Sequence, residues 1–158
     1  MITERYLFLD GDVEKLFSSI VIALNKLNDL EDPVLLSTSK GEKVKGSRQI
    51  EISLNDQGKP IVFDWKLARK FVLASLSRGE LAPLKFIVVF KYHYLRGSRK
   101  VHLKYDRYEI HVTPEKRGIL VSVRAIKTMY RTSPEILIQM IREEVSRVLG
   151  KRVRVELL

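Results

Sequence analysis

Three histidines in the basic middle of the chain attract attention first, because imidazole can ligate a metal ion and titrates near neutral pH. His93 and His102 lie on either side of the Gly-Ser pair in "KYHYLRGSRKVHLKYDRYE", residues 91–109. His111 lies nine residues beyond His102, which is roughly 30 Å along an extended strand. The 158 residues include no cysteine, so we predict no zinc site. Two facing imidazoles among lysines should instead resist protonation.

A cluster of carboxylates near the start of the chain resembles a site for a divalent cation. Asp10, Asp12 and Glu14 directly precede a helical pattern. Carboxylates gather at helix starts because they cap free backbone N–H groups and interact favourably with the helix dipole. A structural role is therefore the favoured interpretation of this cluster.

The sequence contains no catalytic motif that we recognise. Neither a phosphate-binding GxGxxG or GxxxxGK[ST] pattern nor a G-x-S-x-G elbow is present. Asp106 and Glu109 lie beside a predicted β-bulge, and bulges can mark active sites, but neutralisation by Arg107 is the favoured interpretation. We predict no cofactor and no metal, and a role without catalysis is favoured over an enzyme.

The positive charge of the protein is concentrated in one segment. The net charge is +10, and residues 85–131 contain 12 Lys and Arg against 3 Asp and Glu, which accounts for +9 of it. Residues 1–84 contain 12 of each sign. A local field of one sign attracts anions such as nucleic-acid phosphates, acidic lipid or an acidic protein.

Hydrophobic periodicity predicts eleven elements in the order β-α-β-β-β-α-β-β-β-α-β. The predicted strands are 5–9, 34–39, 48–54, 61–63, 84–95, 100–112, 119–127 and 153–157, and the predicted helices are 13–28, 65–78 and 133–149. The segment "KGEKVKG" is predicted to be a polar loop between two strands. This order predicts an α+β fold in one domain, 1–158, with a mainly antiparallel sheet and three helices packed on one face. A weak β-α-β-β duplication, 5–54 and 60–112, is a further hypothesis.

Local signals place the helix ends. Asp12 and Asp64 are predicted N-caps, and Thr132 with Glu135 forms a capping-box pattern before the third helix. The second helix is expected to bury the side chains Leu67, Phe71, Ala74 and Leu76, and Trp65 at its start is expected to lie in the core.

A long three-strand meander, residues 84–127, is predicted to carry the positive segment. Arg96-Gly97-Ser98-Arg99 suits a two-residue hairpin with a type II′ turn. In that register His93 faces His102, Tyr92 faces Leu103, and Lys91 faces Lys104. Phe90 then faces Tyr105, and one extra residue near Asp106-Arg107 is expected to form a bulge that restores the apolar alternation. The apolar set would continue with Val112 facing Ile119, Ile110 facing Val121 and Tyr108 facing Val123.

The side of this meander that points away from the helices, called here the outer face, is predicted to be basic. Like charges facing one another are unfavourable, so a sheet that keeps them is a candidate for binding an anion. The candidate nucleic-acid-binding residues are Lys91, His93, Arg96, Arg99, Lys100, His102, Lys104, Arg107 and Arg124.

Three functions fit this surface, beside the alternative that it is only a solvated face. The favoured one is binding of RNA or another single strand, mainly through the phosphate backbone, by an accessory factor. A second is a sheet gripping the last helix around an apolar ligand, with Phe90, Tyr92, Tyr94 and Tyr105 lining the pocket. A third is a basic subunit that meets an acidic protein.

The composition adds expectations about where the protein works. The start "MITERYLFLDGD" is too charged for an export signal, and no run is long and apolar enough for a membrane span. The absence of cysteine suits a reducing compartment, so we expect a cytoplasmic protein. A charged fraction of 30%, rich in Lys, Arg and Glu, is typical of heat-adapted proteins.

Overall fold

A computed structural model describes residues 3–158 and confirms the α+β class and the order of the elements. Three helices lie against a curled sheet of eight strands. The strands are β1 Thr3–Leu9, β2 Glu31–Ser37, β3 Lys43–Asp56, β4 Lys59–Val62, β5 Leu84–Arg96, β6 Arg99–Pro114, β7 Gly118–Lys127 and β8 Arg154–Leu157. The helices are α1 Val13–Leu27, α2 Trp65–Arg78 and α3 Pro134–Leu149.

The sheet has the strand order β2-β3-β5-β6-β7-β1-β8, with β4 paired to the far end of β3. The pairs run antiparallel. Helix α1 lies between α2 and α3, and the apolar sides of the helices and the inner face of the sheet form one core. Phe17, Ile20 and Leu24 on α1 are fully buried in it, as their helical spacing predicts.

The ends of the first two helices follow their sequence signals. The Asp12 carboxylate accepts a hydrogen bond from the Lys15 amide at 3.0 Å, and Asp64 caps Leu67 at 2.9 Å. Gly79 ends α2 in the left-handed conformation, with φ of 63°, which costs a glycine little.

The predicted cap of the third helix is wrong by one residue. Ser133, not Thr132, is the N-cap, and its hydroxyl accepts from the Ile136 amide. Thr132 is fully buried instead, and its hydroxyl accepts a hydrogen bond from Arg48 and contacts the Tyr92 hydroxyl at 2.7 Å. The Thr132 side chain therefore packs against the sheet and does not cap the helix.

The register of the hairpin tip is confirmed, but the bulge lies earlier than predicted. His93 pairs with His102, and Gly97 has the positive φ, 64°, that a type II′ turn requires at its first central residue. Beyond Tyr92 the register shifts, so that Phe90 pairs with Asp106 and not with Tyr105. Two residues of β6, Lys104 and Tyr105, therefore lie opposite Lys91.

This bulge corrects the predicted positions of two side chains. Tyr105, expected on the apolar inner face, is 39% exposed and lies on the outer face. Asp106, expected at the bulge with Arg107 as its partner, points inward and is fully buried. Lys104 does lie opposite Lys91, as predicted, but it shares that position with Tyr105. The charge of Lys91 is balanced by the Glu51 carboxylate at 2.8 Å.

The register between β6 and β7 is two residues from the predicted one. Val112 pairs with Val121, and Ile110 pairs with Val123. A second irregularity lies beside Arg107, where Ile126 is the extra residue on β7. The inward apolar set is unchanged, because a shift of two residues keeps every side chain on the same face.

Two further predictions are corrected at the edges of the fold. The segment "KGEKVKG" is not entirely a loop, because β3 begins at Lys43. In α2 the buried residues are Ala68, Val72 and Ser75, whereas Leu76 and Trp65 are exposed. Leu67 and Phe71 are half-buried against the core, as expected, and Leu73 is exposed like Leu76 and Trp65.

Candidate nucleic-acid interface

The outer face of the sheet is built in rows, because residues paired across neighbouring strands lie side by side. One row near the hairpin tip runs from Ser47 on β3 through His93 to His102. A second row, nearer the middle of the sheet, runs from Val89 through Arg107 to Lys127. The meander therefore brings the predicted site residues of β5, β6 and β7 onto one surface.

Three of the nine predicted residues have carboxylate neighbours on this face. Lys91 pairs with Glu51, and the His93 imidazole lies 3.6 Å from Glu31. Arg124 donates to Glu109 at 2.9 Å. These contacts give part of the face an internal balance of charge, contrary to the repulsion expected from sequence.

The other six predicted residues form no ion pair within residues 3–158. They are Arg96, Arg99, Lys100, His102, Lys104 and Arg107. All except Arg107 are exposed, and the Arg107 Nε atom is buried without a hydrogen-bond partner in the described part of the chain. The unbalanced charge therefore lies on β6 and at the hairpin tip.

Tyr105 adds an aromatic surface to this cationic strand. The Lys127 ammonium lies 5.3 Å from the centre of the Tyr105 ring, within the range of a cation–π contact. Lys104 precedes Tyr105 and lies in the same bulge. Exposed planar groups flanked by cations are what proteins use to stack unpaired bases.

Sequence reasoning missed Tyr105, Lys127, Lys43 and Lys45 as members of the outer face. Lys45 pairs with Leu35, whose side chain is exposed, so the side of β3 on which it lies also points outward. A signal for the two β3 lysines was present, since they alternate with Val44 and Gly46 as in a strand. No local signal gave the position of the bulge that exposes Tyr105.

Glu109 forms the most strongly paired acidic site of the face. Its carboxylate contacts the imidazole of His111 and the Arg124 guanidinium. The hydrogen bond to His111, followed by that to Arg124, lowers the pKa of Glu109 against the opposing effect of burial. His111 therefore pairs with Glu109 and does not join the row of His93 and His102, as its distance in sequence indicates.

His93 and His102 face each other, and His102 is among the groups that lower the pKa of His93. Their ring centres are 6.1 Å apart. Burial lowers the pKa of His93, and nearby Lys100 and His102 lower it further, whereas Glu31 opposes them. These surroundings agree with the resistance to protonation expected of His93.

We expect His93 to titrate below the ordinary histidine pKa of 6.5. Since its folded pKa is below its unfolded one, its contribution to stability is complete above pH 6.5 and is lost as the pH falls towards the folded pKa. An NMR titration of the imidazole carbons measures this directly. In Lys100→Gln the pKa of His93 should rise, because a repelling charge is removed. A His93 pKa above 6.5 in the unmodified protein would contradict the expectation.

Behind the hairpin, the inner face contains a buried polar network that sequence reasoning assigned differently. Asp106 is not neutralised by Arg107. Its carboxylate accepts hydrogen bonds from Tyr92 at 2.5 Å, Thr128 at 2.8 Å, and the amides of Met129 at 2.7 Å and Thr132 at 3.1 Å. Burial, and then Asp106, raises the pKa of Tyr92, so the phenol stays protonated and donates. The network ties residues 128–132 to the sheet.

A cleft of about 490 Å³ opens beside this network, lined in part by Arg48, Tyr92, Arg131 and Thr132. The Arg48 guanidinium donates to Asp32 at 2.5 Å and 3.0 Å, and Arg131 donates to the Ser37 carbonyl at 2.9 Å. Arg48 is thus paired with the Asp32 carboxylate, whereas Arg131 forms no ion pair within residues 3–158 and its Nε atom is buried without a hydrogen-bond partner there. The contacts of the two arginines hold β2 against β3 and against the segment that precedes α3.

The pocket considered for an apolar ligand is not assembled. Phe90, Tyr92 and Tyr94 are buried on the inner face, but Tyr105 lies on the other side of the sheet. Phe90 packs edge-on against Tyr108 with ring centres 6.2 Å apart, and the Arg48 guanidinium covers its ring. These aromatic side chains are core residues.

Two of the three carboxylates near the first helix, Asp10 and Asp12, have structural partners, in agreement with the favoured interpretation. Asp12 caps α1, and Lys151 contacts Asp10 at 2.5 Å, which lowers the pKa of Asp10. Among residues 3–158, no group of three or more histidine, aspartate or glutamate side chains is arranged to hold a metal ion. Within the same residues, every helix is too short or too polar to cross a bilayer.

Comparison with known proteins yields no relative. Protein-family models, curated proteins and solved structures all give no match to this chain. Function therefore has to be argued from the outer face and the rest of the surface.

Proposed function

We propose that the protein is a non-catalytic factor that binds single-stranded nucleic acid, RNA or DNA, across the outer face of the β5-β6-β7 meander. The binding surface is centred on β6, where the unpaired cations lie, and extends to the hairpin tip at Arg96 and Arg99. Binding would be mainly to phosphates, with weak sequence preference, since most of the side chains are lysines and arginines that act as charges. We propose that the protein acts in the cytoplasm.

The observation that supports this proposal most is the exposed Tyr105 ring between Lys104, Arg107 and Lys127 on one surface. A solvated face that only resists aggregation needs lysines, but it gains nothing from an exposed tyrosine beside them. A single strand uses both groups, because its bases stack on the ring while its phosphates contact the cations. A duplex buries its bases and would use only the cations.

The proposal is tested by fluorescence anisotropy with labelled 12-nucleotide RNA, single-stranded DNA and duplex DNA, titrated between 50 and 300 mM salt. If about five phosphates are contacted, the log of the association constant should fall with the log of salt at a slope of about −3.5. Lys100→Glu with Lys104→Glu should reduce that slope by about 1.4 and weaken binding about tenfold or more. Tyr105→Ala should cost about 1–3 kcal/mol for single strands and little for the duplex.

A matched control is available on α1. Lys15 and Lys26 are exposed, lie on the helical side of the sheet and form no ion pair in the described residues. Lys15→Glu with Lys26→Glu changes the net charge by the same amount and places one new carboxylate at each helix end, so the dipole effects oppose each other. Equal loss of binding in this pair, or binding weaker than about 100 μM at 50 mM salt, would refute the proposal.

A further inference from the structure

Helix α2 exposes large apolar side chains that the fold does not use. Trp65, Leu73 and Leu76 are 50%, 48% and 56% exposed, and Val62, just before the helix, is 76% exposed. The other side of α2 packs on α1 through Ala68, Val72 and Ser75. Single exposed apolar residues are ordinary, but several on one helix indicate an interaction surface.

The exposed residues form one stripe. At 100° per residue, Leu73 lies about 80° and Leu76 about 20° around the helix from Trp65. Arg69 lies between them at about 40°, and Lys66 and Lys70 adjoin the stripe on its solvent side. A shallow cleft of about 450 Å³ runs along these side chains. We call this set, Trp65, Lys66, Arg69, Lys70, Leu73 and Leu76, the α2 patch.

The charges of α2 restrict what can cover this patch. The helix contains Lys66, Arg69, Lys70 and Arg78 and no carboxylate. A second copy of the chain packed here about a twofold axis would place the cations of each patch against those of the other, which is unfavourable. The aliphatic side chains Leu73 and Leu76 offer nothing to phosphates. A bilayer would have to accept Arg69 in the middle of the inserted stripe.

We propose that the α2 patch binds an amphipathic helix of another protein, one whose apolar stripe is bordered by aspartate and glutamate. The apolar side chains of such a helix cover Trp65, Leu73 and Leu76, and its carboxylates meet Lys66, Arg69 and Lys70. Tryptophan and arginine are the residues that most often dominate binding energy at protein interfaces, and both lie in the stripe. This site lies on the helical side of the sheet and is separate from the nucleic-acid surface.

The chain carries its own reporter for this site, because Trp65 is its only tryptophan. The probe is a synthetic 18-residue helical peptide without tryptophan or tyrosine, with leucine at helical spacing on one face and glutamate on both borders. We expect a saturable blue shift of the Trp65 emission and reduced quenching by acrylamide, with a dissociation constant of about 1–100 μM. Leu73→Ala with Leu76→Ala, and separately Lys66→Glu with Lys70→Glu, should each weaken binding about tenfold or more.

Controls separate this occupant from the others. The Lys15→Glu and Lys26→Glu pair should bind the acidic peptide as the unmodified protein does, while a peptide of the same composition in scrambled order, or with lysine in place of glutamate, should leave the emission unchanged. Absence of a shift with the acidic peptide overturns the proposal. So does a shift produced instead by vesicles containing phosphatidylserine, by single-stranded RNA, or by raising the concentration of the protein alone. Circular dichroism of each variant confirms that it is folded.

Discussion

Replacing Asp106 with alanine should lower the free energy of unfolding by about 3–5 kcal/mol, because several buried donors lose their acceptor and each unsatisfied donor costs about 1–3 kcal/mol. The Asp106 carboxylate is fully buried and accepts hydrogen bonds from two hydroxyls and two backbone amides. Without it, the Tyr92 hydroxyl and the amides of Met129 and Thr132 lose an acceptor in a place that water does not reach easily. Unsatisfied buried donors carry most of that cost.

Urea unfolding followed by circular dichroism measures the Asp106 effect. Asp106→Asn is the informative companion variant because it keeps the volume of the side chain. It replaces one carboxylate oxygen, an acceptor, with an NH₂ group whose N–H groups face the donors of the network. We expect it to be destabilised as well. The control is Asp56→Ala, an exposed aspartate at the end of β3, which should stay within about 0.5 kcal/mol. A loss below about 1 kcal/mol for Asp106→Ala would show that the network contributes little.

Gly118→Ala is the second change with a large expected effect, about 3 kcal/mol or more of lost stability, since overpacking usually costs 1–3 kcal/mol and rigid neighbours raise it. A Cβ atom at Gly118 would lie 1.9 Å from the Phe8 carbonyl oxygen and 3.0 Å from its carbonyl carbon. These are backbone atoms of β1, paired with the start of β7, and they cannot turn aside as a side chain can. Either β1 or the start of β7 must move.

The matched control for that change is Gly11→Ala. A Cβ atom there has no heavy atom within 4 Å, and Gly11 is not in the positive-φ region, so the substitution should be close to neutral or slightly stabilising. Thermal unfolding of the two variants in parallel separates the steric effect from the general effect of replacing glycine. Equal midpoints for the two variants would contradict the close approach of β1 and β7 at Gly118.

The elements and the tip register were predictable because they depend on local periodicity and turn chemistry. Phe17, Ile20 and Leu24 repeat at helical spacing, and Gly97-Ser98 specifies a two-residue turn, so a short stretch of chain contains the whole signal. The basic outer face followed directly from that register. Its residues are brought together by pairing along one meander and need no distant contact to define them.

The bulge, and with it the placing of Tyr105, could not be predicted in the same way. A charged residue in a strand normally faces solvent, so the residue type gives no reason to expect Asp106 in the core, and the bulge was expected near Asp106-Arg107. In the structure its hydrogen-bond partners Thr128, Met129 and Thr132 are 22 to 26 residues away in sequence. The residues near Asp106 in sequence therefore give no indication of these hydrogen-bond partners, which belong to a distant loop.

The exposure of Leu76 and Trp65 on α2 was not predicted for a related reason. Leu67 and Phe71 pack against the core as expected, whereas Leu76 and Trp65 are exposed and the fully buried residues of the helix are Ala68, Val72 and Ser75. The Ser75 hydroxyl donates to the Glu14 carbonyl at 2.8 Å, which a leucine could not do. The spacing of apolar residues on a helix cannot show how near the neighbouring helix will come.

The bulge at Lys104 and Tyr105 also determines how easily this surface can change in the course of evolution. It places two side chains of β6 opposite the single residue Lys91. Loss of one codon there would restore a regular ladder while Leu103 and Asp106 kept their present partners Tyr92 and Phe90. A lineage could therefore acquire or discard the additional outward side chain by a one-codon insertion or deletion, with the core of the protein left as it is.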